Sequence, residues 1–428
     1  MKRCPAPSLS LLLPVVLPLL ALGHATSDGQ FVVDRGTTDA PPAAGIVNGG
    51  VALTPTVTVV SPSFKVAYSY NADSCPNKGK TLSDSPPRAF RNSSGVVHLY
   101  SSENQGSRAS VGRELNGSLA RDCNVFYNSS ATANKPDPAL FEAAEWVQGA
   151  GVAPDGSIHA LVHNEWHPDP GSAAGAYANC SKPDCWVSYI TAVVSRDGGK
   201  SFQHAAPPPH HLVASLPEKY RDGWAGTGNG HAPYGFQNPS NILHSPLDGY
   251  HYALISTWGT AWQPGIQARQ PGGNCLIRTK DLNSGPAAWR AWGGAAFNVS
   301  LNANPYTPAG ATDPGAHICA PVTHTNEYLT LVWSTYYKQY MTVFGDGGCS
   351  TVSFKLSHDL ITWSKSVVIR KCICKGGRWE VYPSLIDPAS PSDSFDTIGK
   401  TASLFFVNLH GRQIWYYDLE FGGADEGR

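Results

Sequence analysis

The sequence predicts an all-β protein, a β-propeller of five blades, and three observations carry the prediction. Glycine (43) and proline (34) are abundant while only 15 % of the 428 residues are charged, a balance unlike that of helical bundles or coiled coils. Twelve Trp and 18 Tyr against two Met describe an aromatic, turn-rich chain whose rings suit pleated strands and the faces of sugars. Short alternating apolar runs bounded by turn residues recur along most of the length, in a repeated order.

The elements follow in chain order. Lys2 and Arg3 precede an apolar run from about Ser8 to Leu22, and Gly23-His24-Ala25 supplies small residues for cleavage, so residues 1–25 read as a secretory signal peptide. That run is shorter than the ~20 residues a bilayer needs, and Pro14 and Pro18 interrupt it. Residues 26–50 are rich in Gly, Ala, Thr and Asp without periodicity and read as a flexible leader. Residues 51–428 are then one propeller domain. Its strands are expected over Phe64 to Tyr70, Val96 to Ser101, Ile158 to Trp166, Trp186 to Ser195, Tyr250 to Thr257, Tyr328 to Tyr336, Thr351 to Leu356, Ser403 to Asn408 and Gln413 to Leu419. Asp137 to Val147 is the one helical candidate.

Each repeat unit opens on a polar or Pro-rich first segment, turns at a glycine or asparagine, and closes on a Ser/Thr-x-Asp turn before an aromatic residue. The first segments are Ser83 to Phe90, Glu145 to Val147, Asn238 to Ile242, His317 to Ala320 and Trp379 to Leu385, with hairpins at Gly95, Gly156, Gly249, Asn326 and Gly399. Five units of about 70 residues suit a propeller of four-stranded blades. Six result if Val51 to Tyr70 forms more than the strand that closes the ring, and a β-sandwich is the other architecture weighed.

The closing turns are the most specific signal. Ser195-Arg196-Asp197-Gly198-Gly199-Lys200-Ser201-Phe202 fits S-x-D-x-G-x-[TS]-[WF], in which the carboxylate caps turn amides, glycines take positive φ and the aromatic ring plugs the blade. Thr279-Lys280-Asp281-Leu282, with Trp289 beyond, and Ser357-His358-Asp359-Leu360-Ile361-Thr362-Trp363 are the shorter S-x-D-L-x-x-W form. The first turn resembles the Asp-box of sialidases, and the other two resemble turns of the five-bladed glycoside hydrolases of the β-fructosidase and arabinanase superfamily. Membership of that superfamily implies a glycoside hydrolase fold and a carbohydrate substrate. The turn aspartates themselves are structural.

Composition narrows the function classes. With 31 basic and 32 acidic residues the net charge is −1, so neither nucleic acid nor an anionic membrane is an expected partner, and no membrane association is expected once the signal is cleaved. Sequons at Asn92, Asn116, Asn128, Asn179 and Asn298 predict a secreted glycoprotein. Without Cys4, nine cysteines remain: Cys75, Cys123, Cys180, Cys185, Cys275, Cys319, Cys349, Cys372 and Cys374. An oxidising compartment makes disulfides the default, and the odd number leaves one thiol over. Cys180 and Cys185 are expected to close a small loop, and Cys372 or Cys374 to reach Cys349 or Cys319. The cysteines lack the paired spacing of a zinc site. No cofactor is expected, structural calcium alone being left open, and the chain is expected to be monomeric.

Glycoside hydrolysis needs two carboxyl groups flanking the scissile bond, and a propeller lines its funnel with first segments. Asp84 is the candidate base or nucleophile, resembling the aspartate on the first inner strand of the five-bladed hydrolases, and a turn-capping role is its alternative. Arg88, in Pro87-Arg88-Ala89-Phe90, is a candidate clamp for a substrate carboxylate, or an ion-pair partner of a neighbouring blade. His163, Glu165 and His167 share one face of a strongly alternating strand. Glu165 is the candidate general acid, tuned by His163 or His167, with metal ligation by the three as the alternative. Glu380 and Tyr382 share a face of the last first segment, and Tyr382-Pro383-Ser384-Leu385 resembles the nucleophilic tyrosine region of sialidases, where a glutamate activates the phenol. The Arg-Ile-Pro motif of that family is absent, and Arg278 and Arg412 are the stand-ins for its remaining arginines. Asn241 and His317 are candidate hydrogen-bonders to sugar hydroxyls. Trp166, Trp224 and Trp258 are candidate stacking platforms, and residues 222–236, with His231, form a loop that overhangs the funnel.

The leading function is therefore a secreted glycoside hydrolase acting through Asp84 and Glu165. Its rivals are a sialidase-like exo-glycosidase, a non-catalytic glycan-binding propeller, and a polysaccharide lyase using His163 or Tyr382 as base.

Overall fold

The computed structural model describes residues 54–76, 83–117, 119–129, 137–167, 186–220, 234–260, 265–307, 313–325, 329–345, 351–371, 380–409 and 412–423. The signal peptide, the leader, Asn179, Cys180, Cys185, Trp224, His231, Asn326, Cys349, Cys372, Cys374 and Trp379 lie outside the described residues.

The described chain is all-β. Its α-helix is the single turn Tyr70–Asp73, and the expected helix over Asp137 to Val147 is a 3₁₀ turn, Pro138–Leu140, leading into the strand Ala144–Val152. Pro138 forbids a preceding helical turn, while the run Ala144 to Val152 buries both faces, as an inner strand must.

Five antiparallel sets follow one another among the described residues. The first is Arg88–Arg91, Val97–Tyr100, Ala109–Gly112 and Ala120–Arg121. The second is Ala144–Val152, Ile158–Trp166 and Val187–Ser195, with Gln203–His204 and Leu212–Ala214 along its outer edge. In the third, Tyr234–Gln237 and Leu243–His244 share one edge of His251–Thr257, which is followed by Gly273–Thr279, Arg290–Trp292 and Phe297–Val299. The fourth is Leu329–Ser334, Gln339–Gly345, Thr351–Ser357 and Val367–Lys371. The fifth is Glu380–Ile386, Thr401–Asn408 and Gln413–Gly422, and both Thr56–Val59 and Lys65–Ser69 pair with that last strand. Thr56–Val59 and Lys65–Ser69 thus extend the fifth set rather than forming one of their own.

The sets pack face to face in a cycle. Phe90 and Tyr100 meet Val147, Val162 and Phe202; Val187 and Ile190 meet Ile242 and Ile255; Leu254 and Leu276 meet Leu331 and Phe344; Met341 and Phe354 meet Leu404 and Phe406; and Phe405 and Ile414 return to Ala89 and Leu99 of the first set. A sheet buried on both faces reads as a near-continuous apolar run. Cyclic packing with N-terminal strands closing the C-terminal set is the propeller solution to exposed strand edges. Two parallel pairings link neighbours: Trp333 and Ser334 lie beside Thr397 and Ile398, and Gly235 lies beside Ser188, where a Cβ would fall 1.9 Å from the Ser188 carbonyl oxygen at φ 131°, so only glycine fits.

The closing turns behave as their motif requires. Asp197 Oδ1 accepts the Lys200 and Ser201 amides at 3.1 and 3.0 Å, Gly198 and Gly199 take positive φ, and Phe202 is buried between the first two sets. Asp359 caps Ile361 and Thr362, and Asp281 caps Asn283. Among the described residues two disulfides form, Cys75–Cys123 and Cys275–Cys319. Cys319 is therefore committed within the 275–319 crosslink and is not the partner of Cys372 or Cys374.

Candidate functional site

Antiparallel register brings the start of each first strand beside the end of the second. Ala144 lies opposite Glu165, Glu380 opposite Asn408, and the Asp84 amide donates to the Ser102 carbonyl at 3.2 Å. Asp84, Glu165 and Tyr382 consequently belong to the same end of the ring.

Asp84 is positioned by the chain around it. Ser85 Oγ accepts the Ser102 amide at 2.7 Å, Ser101 Oγ donates to the Ser85 carbonyl at 2.6 Å, and Pro86-Pro87 then hold the backbone extended into the first strand. Half-buried Asp84 accepts the Tyr382 hydroxyl at 2.8 Å. Tyr382 sits at φ 57°, where the pairing register slips between Val381 and Ser384. A left-handed tyrosine is costly, and such strain collects at functional sites.

That slip breaks the expected shared face of Glu380 and Tyr382. Glu380 is buried and turns the other way, accepting Tyr417 Oη at 3.0 Å and Arg370 at 3.3 Å. The carboxyl beside the phenol is Asp84, from another set.

Glu165 and its two histidines form the second group. His163 Nε2 donates to Glu165 Oε1 at 2.7 Å and His167 Nε2 to Oε2 at 3.1 Å. His163 Nδ1 accepts the Asn238 amide at 3.3 Å, so both nitrogens of this buried ring are engaged and its neutral tautomer is fixed. With no lone pair left on His163, metal ligation by His163, Glu165 and His167 is not what this geometry offers. Burial alone raises the Glu165 carboxyl, but the hydrogen bonds from His163 and His167 and the electrostatic attraction of these rings outweigh it and bring the carboxyl down to about 2. The expected general acid is thus an ionised carboxylate. His167 is a third exposed, packs beside Trp186, and uses only Nε2 among the described residues.

Several candidates have structural duties instead. Arg88 is fully buried, donating to the Gln148 and Leu329 carbonyls and to Thr330 Oγ1 and Ser384 Oγ, so it links four inner strands and meets neither a carboxylate nor solvent. Burial lowers its guanidinium to about 10. Asn241 spends its amide on the Leu331 backbone, donating to the carbonyl at 2.8 Å and accepting the amide at 2.9 Å. His317 ends a 3₁₀ turn and donates through Nδ1 to the Ser300 carbonyl; the first strand of the fourth set is Leu329–Ser334, not the expected His317 to Ala320. Trp166 is wholly buried against Tyr306, whereas Trp258 is 52 % exposed. Arg278 stacks on Tyr250 and Phe297, and Arg412 lies over Tyr70. With Arg88 buried, these arginines form no shared carboxylate clamp.

Sequence reasoning missed Asn238 as the residue that fixes His163, and Gln148, which donates to Asn238 Oδ1 at 3.3 Å. A polar residue inside the otherwise apolar inner strand was the available signal for Gln148.

No known family profile matches the sequence, and no curated protein does. Solved structures do. A protein of unknown function from Dyadobacter fermentans aligns at 13 % identity, over 79 % of this chain and 96 % of that one, with a TM-score of 0.43. A GH43_1 enzyme from Xanthomonas citri aligns at 11 % identity over 85 % and 92 %, TM-score 0.46. A family 117 glycoside hydrolase from the marine bacterium Zobellia galactanivorans aligns at 10 % identity over 86 % and 91 %, TM-score 0.45. The all-β assignment here rests on strand pairing and cyclic packing.

Proposed function

We propose that the chain is a secreted, carbohydrate-active propeller that cleaves glycosidic bonds where its inner strands begin. One observation carries this reading: two carboxyls from different sets, each held by a titratable partner, belong to one end of the ring, Asp84 with Tyr382 and Glu165 with His163 and His167. Bond cleavage needs a base or nucleophile and a separate proton donor. Asp84 takes the first role, its Tyr382 hydrogen bond holding the charge in place. Glu165 is already ionised, so the proton donor is His167: the carboxylate orients its ring through Nε2 and stabilises the imidazolium, leaving Nδ1 to serve the leaving oxygen. His163 and Asn238 hold Glu165 in register. Exposed Trp258 and Trp186 beside His167 supply aromatic surface for a sugar face. Two disulfides and the sequons support an oxidising, extracellular setting.

The test is product release from plant, algal and animal glycans and aryl glycosides, comparing the secreted protein with Asp84→Asn, Glu165→Gln and His167→Ala. Loss of hydrolytic turnover in each is expected. An unsaturated product would replace hydrolysis with a lyase reaction, and binding without turnover in all four proteins would leave a glycan-recognition propeller.

A further inference from the structure

A second cluster of titratable side chains lies away from the Asp84 and Glu165 groups. Glu145, His204 and His211 place one ligand atom each within 4.8 Å of one another. Glu145 lies on the inner strand of the second set and His204 on its outer edge, with His211 just before the neighbouring outer strand. All three are buried or nearly so.

Hydrogen bonding around them is arranged as it is around metal-binding side chains. His211 Nε2 faces the Phe141 carbonyl at 3.3 Å, which can only accept, so this nitrogen carries the proton and Nδ1 presents a lone pair. That Nδ1 is buried with no hydrogen-bond partner, on a side chain that is wholly inaccessible. A purely hydrogen-bonded cluster leaves this lone pair orphaned; a cation would use it. The Tyr127 hydroxyl donates to Glu145 Oε2 at 2.7 Å and lies 3.2 Å from His204 Nε2, which reaches Glu145 Oε1 at 3.1 Å and Oε2 at 3.3 Å. Glu142 lies 4.0 Å from His204 Nδ1, and Phe141 adopts φ 55°, its carbonyl accepting from both Asn164 and His211. Partners of this kind fix the tautomer and aim of metal-ligating histidines.

We propose that Glu145, His204 and His211 form a binding site for a divalent transition-metal ion, with zinc the best match, that ties the outer strands of the second set to its inner strand. Two imidazoles and one carboxylate suit zinc, whose bonds of about 2.0–2.2 Å place ligand atoms roughly 3.3–3.6 Å apart. Tyr127 and Glu142 then orient ligands. This site is independent of the hydrolase reading.

The experiment loads the full secreted chain, stripped by chelator, with Zn2+ alone and follows stoichiometry by elemental analysis and unfolding temperature by calorimetry. About one zinc per chain and a higher unfolding temperature are expected, because an ion bound only by the folded state stabilises it. His211→Ala, His204→Ala and Glu145→Gln should weaken binding about 10- to 100-fold or more, whereas His167→Ala should retain it. Where a variant fails to fold, the wild type loaded with Co2+ should give the strong ligand-field absorption of a tetrahedral site. Absence of stoichiometric zinc with no change in unfolding temperature, binding unaffected by all three substitutions, binding lost in His167→Ala, or an octahedral cobalt spectrum would each overturn the proposal.

Discussion

Arg88, buried, and Glu165, its side chain 19 % exposed, are two charges with opposite surroundings. Arg88 is enclosed by acceptors that do not titrate, two backbone carbonyls and two hydroxyls from other strands, whereas Glu165 is enclosed by imidazoles, one of them a third exposed. A charge buried among fixed dipoles is an architectural crosslink, because nothing around it changes state. A charge buried among titratable groups with a path to solvent is a means of moving protons. The same desolvation therefore builds the centre of the ring in one case and equips its rim in the other.

Substitution can break this contrast. The largest effect is expected on catalysis: Asp84→Asn, Glu165→Gln and His167→Ala should each lower turnover by about 100- to 10,000-fold with the fold retained, measured by product release and circular dichroism. Arg88→Ala should do the reverse, costing about 3 kcal/mol or more in denaturant unfolding because four buried acceptors lose their donor. A loss below about 1 kcal/mol would remove its status as a crosslink.

The contrast sharpens with pH. Folding lowers the Glu165 carboxyl from 4.5 to about 2, so its contribution to stability is complete above about pH 4.5 and is lost as pH falls toward about 2. Glu165→Gln should flatten the acid limb of the stability profile in that window, as read by unfolding at stepped pH. A smaller effect belongs to the turns: Asp197→Ala should cost about 1–2 kcal/mol with turnover unchanged, since its carboxylate serves the amides and hydroxyls of its own turn alone. The smallest is a gain. Exposed Lys338 sits at φ 53° in the turn after Leu329–Ser334, and Lys338→Gly should stabilise by about 1 kcal/mol by removing left-handed strain.

Glycosylation separates the sequons in the same way. Asn298 and Asn116 are exposed, while Asn92 uses its amide on the Ser94 and Val96 backbone and on the Gly198 carbonyl. Glycopeptide mapping of the secreted protein should find sugar on the first two and an unmodified Asn92.

The strand rhythm, the glycine hairpins at Gly95, Gly156 and Gly249, and the capping duty of Asp197, Asp281 and Asp359 were legible because each is local: alternation, positive φ and a carboxylate two to four residues from its amides are fixed by neighbours in sequence. The grouping of His163, Glu165 and His167 was legible for the same reason, a period of two along one strand. What lay beyond reach needed partners dozens to hundreds of residues away. Leu331 claims Asn241, four acceptors on other strands claim Arg88, a register slip parts Tyr382 from Glu380, and the Asn238 amide fixes the ring of His163 against Glu165. Sequence alone determined which residues could carry charge and where the chain would turn. Only the closed ring of sets decided which of those charges meet one another and which are sealed away, because a side chain's solvation and protonation are set by the strands that pack over it.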